Sequence, residues 1–178
     1  MRWVALLGIS IFLGGCTTDG PHPAGATTFP STAPAKIAEF QGEYRFLSNF
    51  YPATVEFEGI TYPSVEHAYQ SAKTLNMDER QRIAAIVDPA DAKRAGGALS
   101  PQRADWEKVK FLVMEQCVRY KFTHDLKLRA KLLATGSAIL EEGNNWNDRI
   151  WGICPPNSGD GENRLGKILM KVRAELRS

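Results

Sequence analysis

The chain has 178 residues, which is enough for one domain with a substantial core and too short for two ordinary ones. Hydrophobic residues make up 43% and charged residues 24%, a globular composition that excludes a wholly disordered chain. The formal net charge of +2 excludes attraction to nucleic acid over the whole surface, although a local basic groove stays compatible with it. The three cysteines and three histidines are scattered, so we expect no metal site.

Residues 1–16 have the pattern of a bacterial lipoprotein signal peptide. Arg2 is followed by an apolar run over residues 4–13, too short to span a bilayer, and then by Gly-Gly-Cys. In such signals the cysteine carries the lipid, so Cys16 is the predicted lipidation site. Thr17 is not the aspartate of inner-membrane retention signals, so we expect a lipid-anchored protein of the cell envelope, on the outer membrane or the periplasmic face in a Gram-negative cell. The alternatives are a chance cysteine after a misassigned start and a plain anchor.

Residues 17–36 are rich in Pro, Thr, Ala, Ser and Gly and show no periodicity, so they are predicted to be a flexible tether. The folded domain then covers residues 37–178. Its expected elements are a strand at 37–40, a hairpin of 54–57 and 60–62, helices at 65–76, 88–97, 103–122 and 126–134, a loop over 143–161, and a helix at 163–176. This is an α+β fold: one mostly helical domain with a small sheet.

The helix that follows Ser64 carries the first candidate site. Glu66, Gln70 and Lys73 fall on one face at helical spacing. A solvated surface stripe with a capping glutamate is the alternative interpretation. The adjoining face is predicted to be core and holds Val65, Ala68, Ala72 and Leu75.

The loop over residues 144–161 carries Trp146 and Trp151 together with Asp148. Large aromatic side chains in loops often contact ligands, and a tryptophan face stacks on bases. Equally, both tryptophans fit as plugs of the core beneath a long loop.

Two helix beginnings and one cysteine pair leave alternatives open. Arg103 suits a phosphate, or it forms a local pair with Asp105. Asn163 begins the last helix, where free N–H groups receive an anion, or it is a simple cap. Cys117 and Cys154 are compatible with a disulfide in an oxidising envelope, but the sequence does not bring them together.

Several separated blocks, in order along the chain, resemble the signature of the NADAR (YbiA-like) family. The longest covers residues 59–70, Gly-Ile-Thr-Tyr-Pro-Ser-Val-Glu-His-Ala-Tyr-Gln, with Lys73 three residues later. The others are Phe-Leu-Ser-Asn-Phe at 46–50, Arg-Ala-Asp-Trp at 103–106, Lys-Phe at 121–122, Leu-Leu-Ala-Thr-Gly at 132–136, Asp148 with Trp-Gly at 151–152, and Gly-Glu-Asn-Arg-Leu-Gly at 161–166, followed by Leu169, Met170 and Arg173. The resemblance covers residues 37–176.

The resemblance implies a compact α+β fold and N-glycosidase chemistry on a bond between a ribose carbon and a nitrogen. The implied substrates are phosphoribosylamino-pyrimidine intermediates of riboflavin synthesis, or ADP-ribose attached to guanine in nucleic acid. An envelope location would separate the domain from cytosolic intermediates and from the chromosome, which leaves the substrate open. No cofactor and no metal is expected.

Breaking an N-glycosidic bond builds positive charge on the ribose, so a carboxylate is needed nearby. Glu66 and Asp148 are the candidates, and Lys73 either binds phosphate or attacks the anomeric carbon through a Schiff base. The resemblance adds substrate-binding candidates: Asn49, Phe50, Gln70, Arg103, Trp106, Trp151, Gly152 and Asn163. Two alternatives remain, a non-catalytic module that binds ADP-ribose or a similar nucleotide, and a structural envelope lipoprotein with an exposed apolar patch.

Overall fold

The computed structural model describes residues 33–178. The predicted signal peptide, its Cys16 and most of the 17–36 tether lie outside the described residues. Within the described part, no helix is long and apolar enough to cross a membrane.

Helices dominate the described part of the chain, and two short strand pairs accompany them, so the predicted α+β class is confirmed. The elements are β1 (Lys36–Ile37), a 3₁₀ helix (Gly42–Leu47), β2 (Val55–Phe57), β3 (Ile60–Tyr62), α1 (Val65–Ser71), α2 (Met77–Ala84), α3 (Pro89–Gly97), α4 (Trp106–His124), α5 (Leu126–Ala134), β4 (Ile139–Leu140) and α6 (Arg164–Glu175). β1 pairs with β4 in parallel, and β2 pairs with β3 antiparallel.

The β2–β3 hairpin forms in the predicted region, with β2 beginning one residue later than predicted. Glu58 and Gly59 both have positive φ, 47° and 79°, as the two central residues of a type I′ turn require. The burial pattern of β2 alternates, with Val55 and Phe57 buried and Glu56 exposed. One face of the hairpin therefore packs on the core.

α1 is shorter than predicted and is followed by a helix that the sequence analysis missed. The Ser64 side chain accepts from the His67 N–H at the start of α1, but the helix ends at Ser71 instead of residue 76. The Asn76 side chain accepts from the N–H groups of Asp78 and Glu79 and thereby begins α2. Leu75, predicted to be core, lies between the two helices and is 66% exposed.

The other differences lie at element ends. β1 stops at Ile37, because the chain turns away toward the 3₁₀ helix, which begins at Gly42 with a φ of 53°. α4 begins at Trp106, three residues after the predicted start, and runs to His124. α6 begins at Arg164, one residue after the predicted start.

α4 is the central helix of the core, packed against α1, β2, α5 and α6. Its Lys121 is buried and donates to the backbone carbonyls of Phe46, at 2.7 Å, and Ser48, at 2.9 Å. This lysine therefore fixes the end of the 3₁₀ helix to the core. Cys117, also on α4, and Cys154 are both buried free thiols, so the disulfide left open above is not formed.

Candidate active site

A cavity of about 550 Å³ opens between the segment after the 3₁₀ helix, α1, α3 and the loop that follows β4. Its wall brings together residues that are far apart in the sequence. The predicted site residues that line it are Asn49, Phe50, Glu66, Gln70, Lys73, Asp148 and Trp151.

Glu66 is the most firmly held acidic side chain of the cavity. It is only 3% exposed, so the surface-stripe interpretation is wrong. Its Oε1 accepts from Gln70 Nε2 at 2.7 Å, its Oε2 accepts from Asn49 Nδ2, and its backbone N–H donates to Asn49 O at 3.0 Å. Burial raises the pKa of Glu66, and the Gln70 amide, Lys93, Lys73 and the Asn49 amide oppose that rise.

Lys73 lies just beyond the end of α1 and is half-buried. Its Nζ is 5.9 Å from the ring centres of both Tyr69 and Trp106. Burial lowers the pKa of Lys73, Glu66 opposes the effect, and Lys93 adds to it. A lysine with a lowered pKa has a larger fraction of the neutral amine, which is the nucleophilic form.

The loop after β4 is shaped by Asn144. This side chain is buried, accepts from the N–H groups of Asp148 at 3.0 Å and Trp146 at 3.3 Å, and donates to Asp148 O at 2.7 Å. Asp148 Oδ1 in turn accepts from the N–H groups of Ile150 and Trp151. These bonds hold Asp148, Trp146 and Trp151 at the cavity.

Glu142 is a cavity residue that the sequence analysis missed. It follows β4 directly, and a two-residue strand gives too little alternation to be recognised. Burial raises the pKa of Glu142 to about 8; Asp148 and Glu66 add to the effect, and Lys93 opposes it. Its signal would have been an acidic side chain shortly after the buried Leu140 of a short strand. Lys93, Arg45 and Tyr69 also line the cavity and were missed.

The three aromatic candidates differ in position. Trp106 is buried, with its ring 5.0 Å from Tyr69, and packs in the core. Trp151 is half-buried, meets Tyr69 edge-on at 5.3 Å and Phe111 at 5.5 Å, and also lines the cavity, so it has features of both interpretations. Trp146 is 59% exposed at the cavity wall and is free to meet a ligand.

Arg103 does not reach this cavity. It lines a second cavity, of about 540 Å³, and its Nε lies 2.6 Å from Asp105 Oδ1. The local ion pair is therefore the arrangement observed. Both side-chain hydrogen bonds of the Arg103 guanidinium go to the carboxylate of Asp105, two residues along the chain, and none reaches the first cavity.

Gly152 and Asn163 lie behind the cavity wall and support Glu142. A Cβ on Gly152 would come within 2.0 Å of Glu142 O, so only glycine fits. Asn163 has a φ of 49° and makes no capping hydrogen bond; its side chain donates to Leu140 O at 2.9 Å and accepts from Glu142 N at 3.1 Å. The side-chain cap considered for Asn163 is therefore not formed, and the N–H groups of Arg164 and Leu165 at the start of α6 donate to the carbonyls of Ile150 and Trp151 instead of being free for an anion.

Among residues 33–178, no group of three His, Cys, Asp or Glu side chains is placed to share a metal ion. Glu66, Glu142 and Asp148 therefore line one cavity without forming a ligand cluster. What the arrangement offers chemically is a held carboxyl group, two further carboxyl groups, lysines and aromatic faces around one space.

Comparison with known proteins identifies the family of this chain. The NADAR domain family matches residues 37–177. N-glycosidase YbiA of Escherichia coli (strain K12) is 40% identical over 135 residues, 75% of this chain and 82% of that protein. Riboflavin biosynthesis protein VVA0006 of Vibrio vulnificus is 37% identical over 144 residues, 80% of this chain and 38% of that protein. The NMR structure of the E. coli protein YbiA has a TM-score of 0.69 at 38% identity and covers 80% of this chain and 83% of that chain.

The chain belongs to the NADAR family. It is an enzyme of the N-glycosidase class, a hydrolase that acts on N-glycosyl bonds.

Proposed function

We propose that this enzyme hydrolyses the bond between ribose C1′ and a base nitrogen in a phosphorylated, nucleotide-like substrate. The substrate is of the phosphoribosylamino-pyrimidine type or the ADP-ribosyl-guanine type, the latter free or on a nucleic acid. The observation that carries the proposal is Glu66, buried and held by two side-chain amides in a cavity that also contains Lys73.

Glu66 is suited to the charge that develops in this reaction. As the glycosidic bond breaks, the ribose becomes cationic, and a fixed carboxylate beside it stabilises that charge without reorganising. Asn49 and Gln70 occupy both carboxyl oxygens, which fixes the orientation of the group before substrate arrives. Asp148, in the loop after β4, is the second candidate for the carboxylate that stabilises the ribose cation.

Lys73 has two roles that fit its position. As a cation it binds a phosphate group, and as a neutral amine it attacks C1′ and forms a Schiff base with the opened ribose. The lowered pKa supports the second role, and the neighbouring Lys93 and Arg45 supply cations for phosphate in either case. The base then lies against the aromatic side of the cavity, where Trp146 and Trp151 present their rings.

The test is to incubate the purified protein with phosphoribosylamino-pyrimidine and with ADP-ribosylated guanosine, and to detect released base by mass spectrometry. We expect release from at least one of them, and release about 10²–10³-fold slower by the Glu66→Gln variant. Tight binding without release would favour the nucleotide-binding module instead. Neither binding nor release would contradict the proposal.

We also propose that the domain is lipid-anchored in the cell envelope through Cys16. The support is the charged start, the apolar run and the Gly-Gly-Cys sequence of the first 16 residues. In a bacterial host, we expect Cys16→Ser to abolish metabolic labelling with a fatty acid and to release the protein from the membrane fraction. Unchanged mass and unchanged membrane association in that variant would contradict the anchor.

A further inference from the structure

Two acidic side chains of the cavity stand in opposite hydrogen-bonding surroundings. Both carboxyl oxygens of Glu66 accept hydrogen bonds from side-chain amides. The carboxyl group of Glu142 receives no hydrogen bond from any residue between 33 and 178 and faces the cavity. Donors stabilise the charged form of a carboxyl group, so their absence leaves Glu142 the better holder of a proton.

The ionisable groups that face Glu142 also favour its neutral form. Asp148 approaches from the same loop, Glu66 from α1, and Lys93 from α3. Two acidic neighbours therefore favour the neutral form of Glu142, and one lysine opposes them. Together with burial, they raise the pKa of Glu142 to about 8, so the group is protonated at neutral pH.

The main chain of Glu142 is fixed on both sides, which gives its carboxyl group a defined position. Its N–H donates to Asn163 Oδ1 at 3.1 Å, and its carbonyl accepts from Ile153 N at 3.0 Å. Gly152 lies so close to that carbonyl that no side chain fits there. A proton donor needs such fixed placement, because proton transfer requires hydrogen-bond distance to the leaving group.

We propose that Glu142 donates the proton to the departing base nitrogen, an inference that rests on the hydrolysis proposed above. The electron pair of the C1′–N bond stays on the nitrogen, which takes the carboxyl proton of Glu142. A water oxygen forms the new bond to C1′, and its surplus proton passes to the carboxylate of Glu66. Exchange with solvent water removes the proton from Glu66 and returns one to Glu142, which closes the cycle.

The test compares Glu142→Gln with Glu141→Gln in the full chain. Glu141 is a matched control, because its carboxylate pairs with Lys36 at 3.2 Å and does not line the cavity. On whichever substrate the wild type hydrolyses, we expect kcat of Glu142→Gln to fall by about 10²–10⁴-fold and that of Glu141→Gln to stay unchanged. Thermal unfolding of both variants confirms that they fold.

The pH profile separates a proton donor from a structural residue. A donor acts in its protonated form, so wild-type kcat is present at neutral pH and declines as the pH rises through the pKa of Glu142. The residual activity of Glu142→Gln should lack that decline, whereas a merely structural loss would leave the profile in place and overturn the inference. If Glu142→Gln turns over substrate at the wild-type rate, only the role of Glu142 is overturned. If the wild type itself releases no base, the proposed hydrolysis is overturned, and the role of Glu142 with it.

Discussion

The first and second cavities described above are almost equal in size, about 550 and 540 Å³, yet they differ in whether their charged side chains form ion pairs. In the second cavity the charged groups are paired locally, Arg82 with Glu79 at 2.8 Å and Arg103 with Asp105 at 2.6 Å. In the first, neither Glu66 nor Lys73 takes part in an ion pair within the described residues.

Burying an ionisable group without an opposite charge in contact costs free energy, which a protein rarely tolerates without a use for the group. The second cavity is therefore typical of a surface depression whose charged side chains form local ion pairs. The first is typical of a binding site for a charged ligand. Volume alone does not distinguish them; the unpaired charges do.

Apart from Glu142, the largest expected effect, and the strictest test of this comparison, is at Glu66. Glu66→Gln keeps the shape but removes the charge beside the ribose, so we expect kcat to fall by about 10²–10³-fold. Glu79→Gln, which removes a carboxylate of the second cavity, is the matched control and should leave kcat unchanged. Equal rates for wild type and Glu66→Gln would place the reaction elsewhere, with the Asp148 loop as the next candidate.

Lys73 gives the next largest effect. We expect Lys73→Ala to lose about 10²-fold or more in kcat/KM in either role of the amine. Lys73→Arg keeps the charge and cannot form a Schiff base, so retained turnover indicates phosphate binding, and lost turnover with retained binding indicates a nucleophile. Borohydride reduction during turnover should add substrate mass to the wild type only if the lysine is the nucleophile.

The two loop tryptophans are expected to separate binding from stability. Trp146 is exposed, so Trp146→Ala should raise KM by about 10–100-fold through lost stacking and leave the unfolding transition in place. Trp151 packs on Tyr69 and Phe111, so Trp151→Ala should also lower the free energy of unfolding, by about 2 kcal/mol. Urea unfolding and steady-state kinetics on both variants measure this; a stable, tight-binding Trp146→Ala would contradict the stacking role.

The smallest effect is expected at Arg103, in the second cavity. Its guanidinium is occupied by Asp105 and does not line the first cavity, so Arg103→Ala should leave kcat and KM as they are. A rise in KM for a phosphorylated substrate would show that the second cavity takes part in binding and would remove the contrast between the two.

Elements whose start or turn is determined by a few neighbouring residues were predicted correctly from the sequence. The Glu58–Gly59 turn, the Ser64 cap, and the Asp88 cap followed by Pro89 each act over a few residues, and the hairpin and the starts of α1 and α3 lie within a residue of their predicted positions. The site was partly predictable, because Glu66 and Gln70 are four residues apart on one helix and bond directly.

Features set by distant partners could not be read from the sequence. β4 has only two residues and exists because β1 pairs with it, so Glu142 after it passed unnoticed. Asn163 has the same origin: its side chain bonds to Leu140 and Glu142, more than 20 residues earlier, and no periodicity encodes those bonds. Arg103, whose partner Asp105 is two residues away, takes the local pairing that the sequence offered as one alternative.

The bond from Lys121 to the segment before Asn49 has a consequence for the order in which the chain folds. Lys121 lies 75 residues after Phe46 and 73 after Ser48, so both contacts have high sequence separation. During synthesis the hairpin and α1 emerge well before α4, and contacts of such separation close late. The segment that presents Asn49 to Glu66, and α1 that carries Glu66, are therefore both anchored only after α4 has been made, so the Asn49–Glu66 hydrogen bond belongs to the late steps of folding.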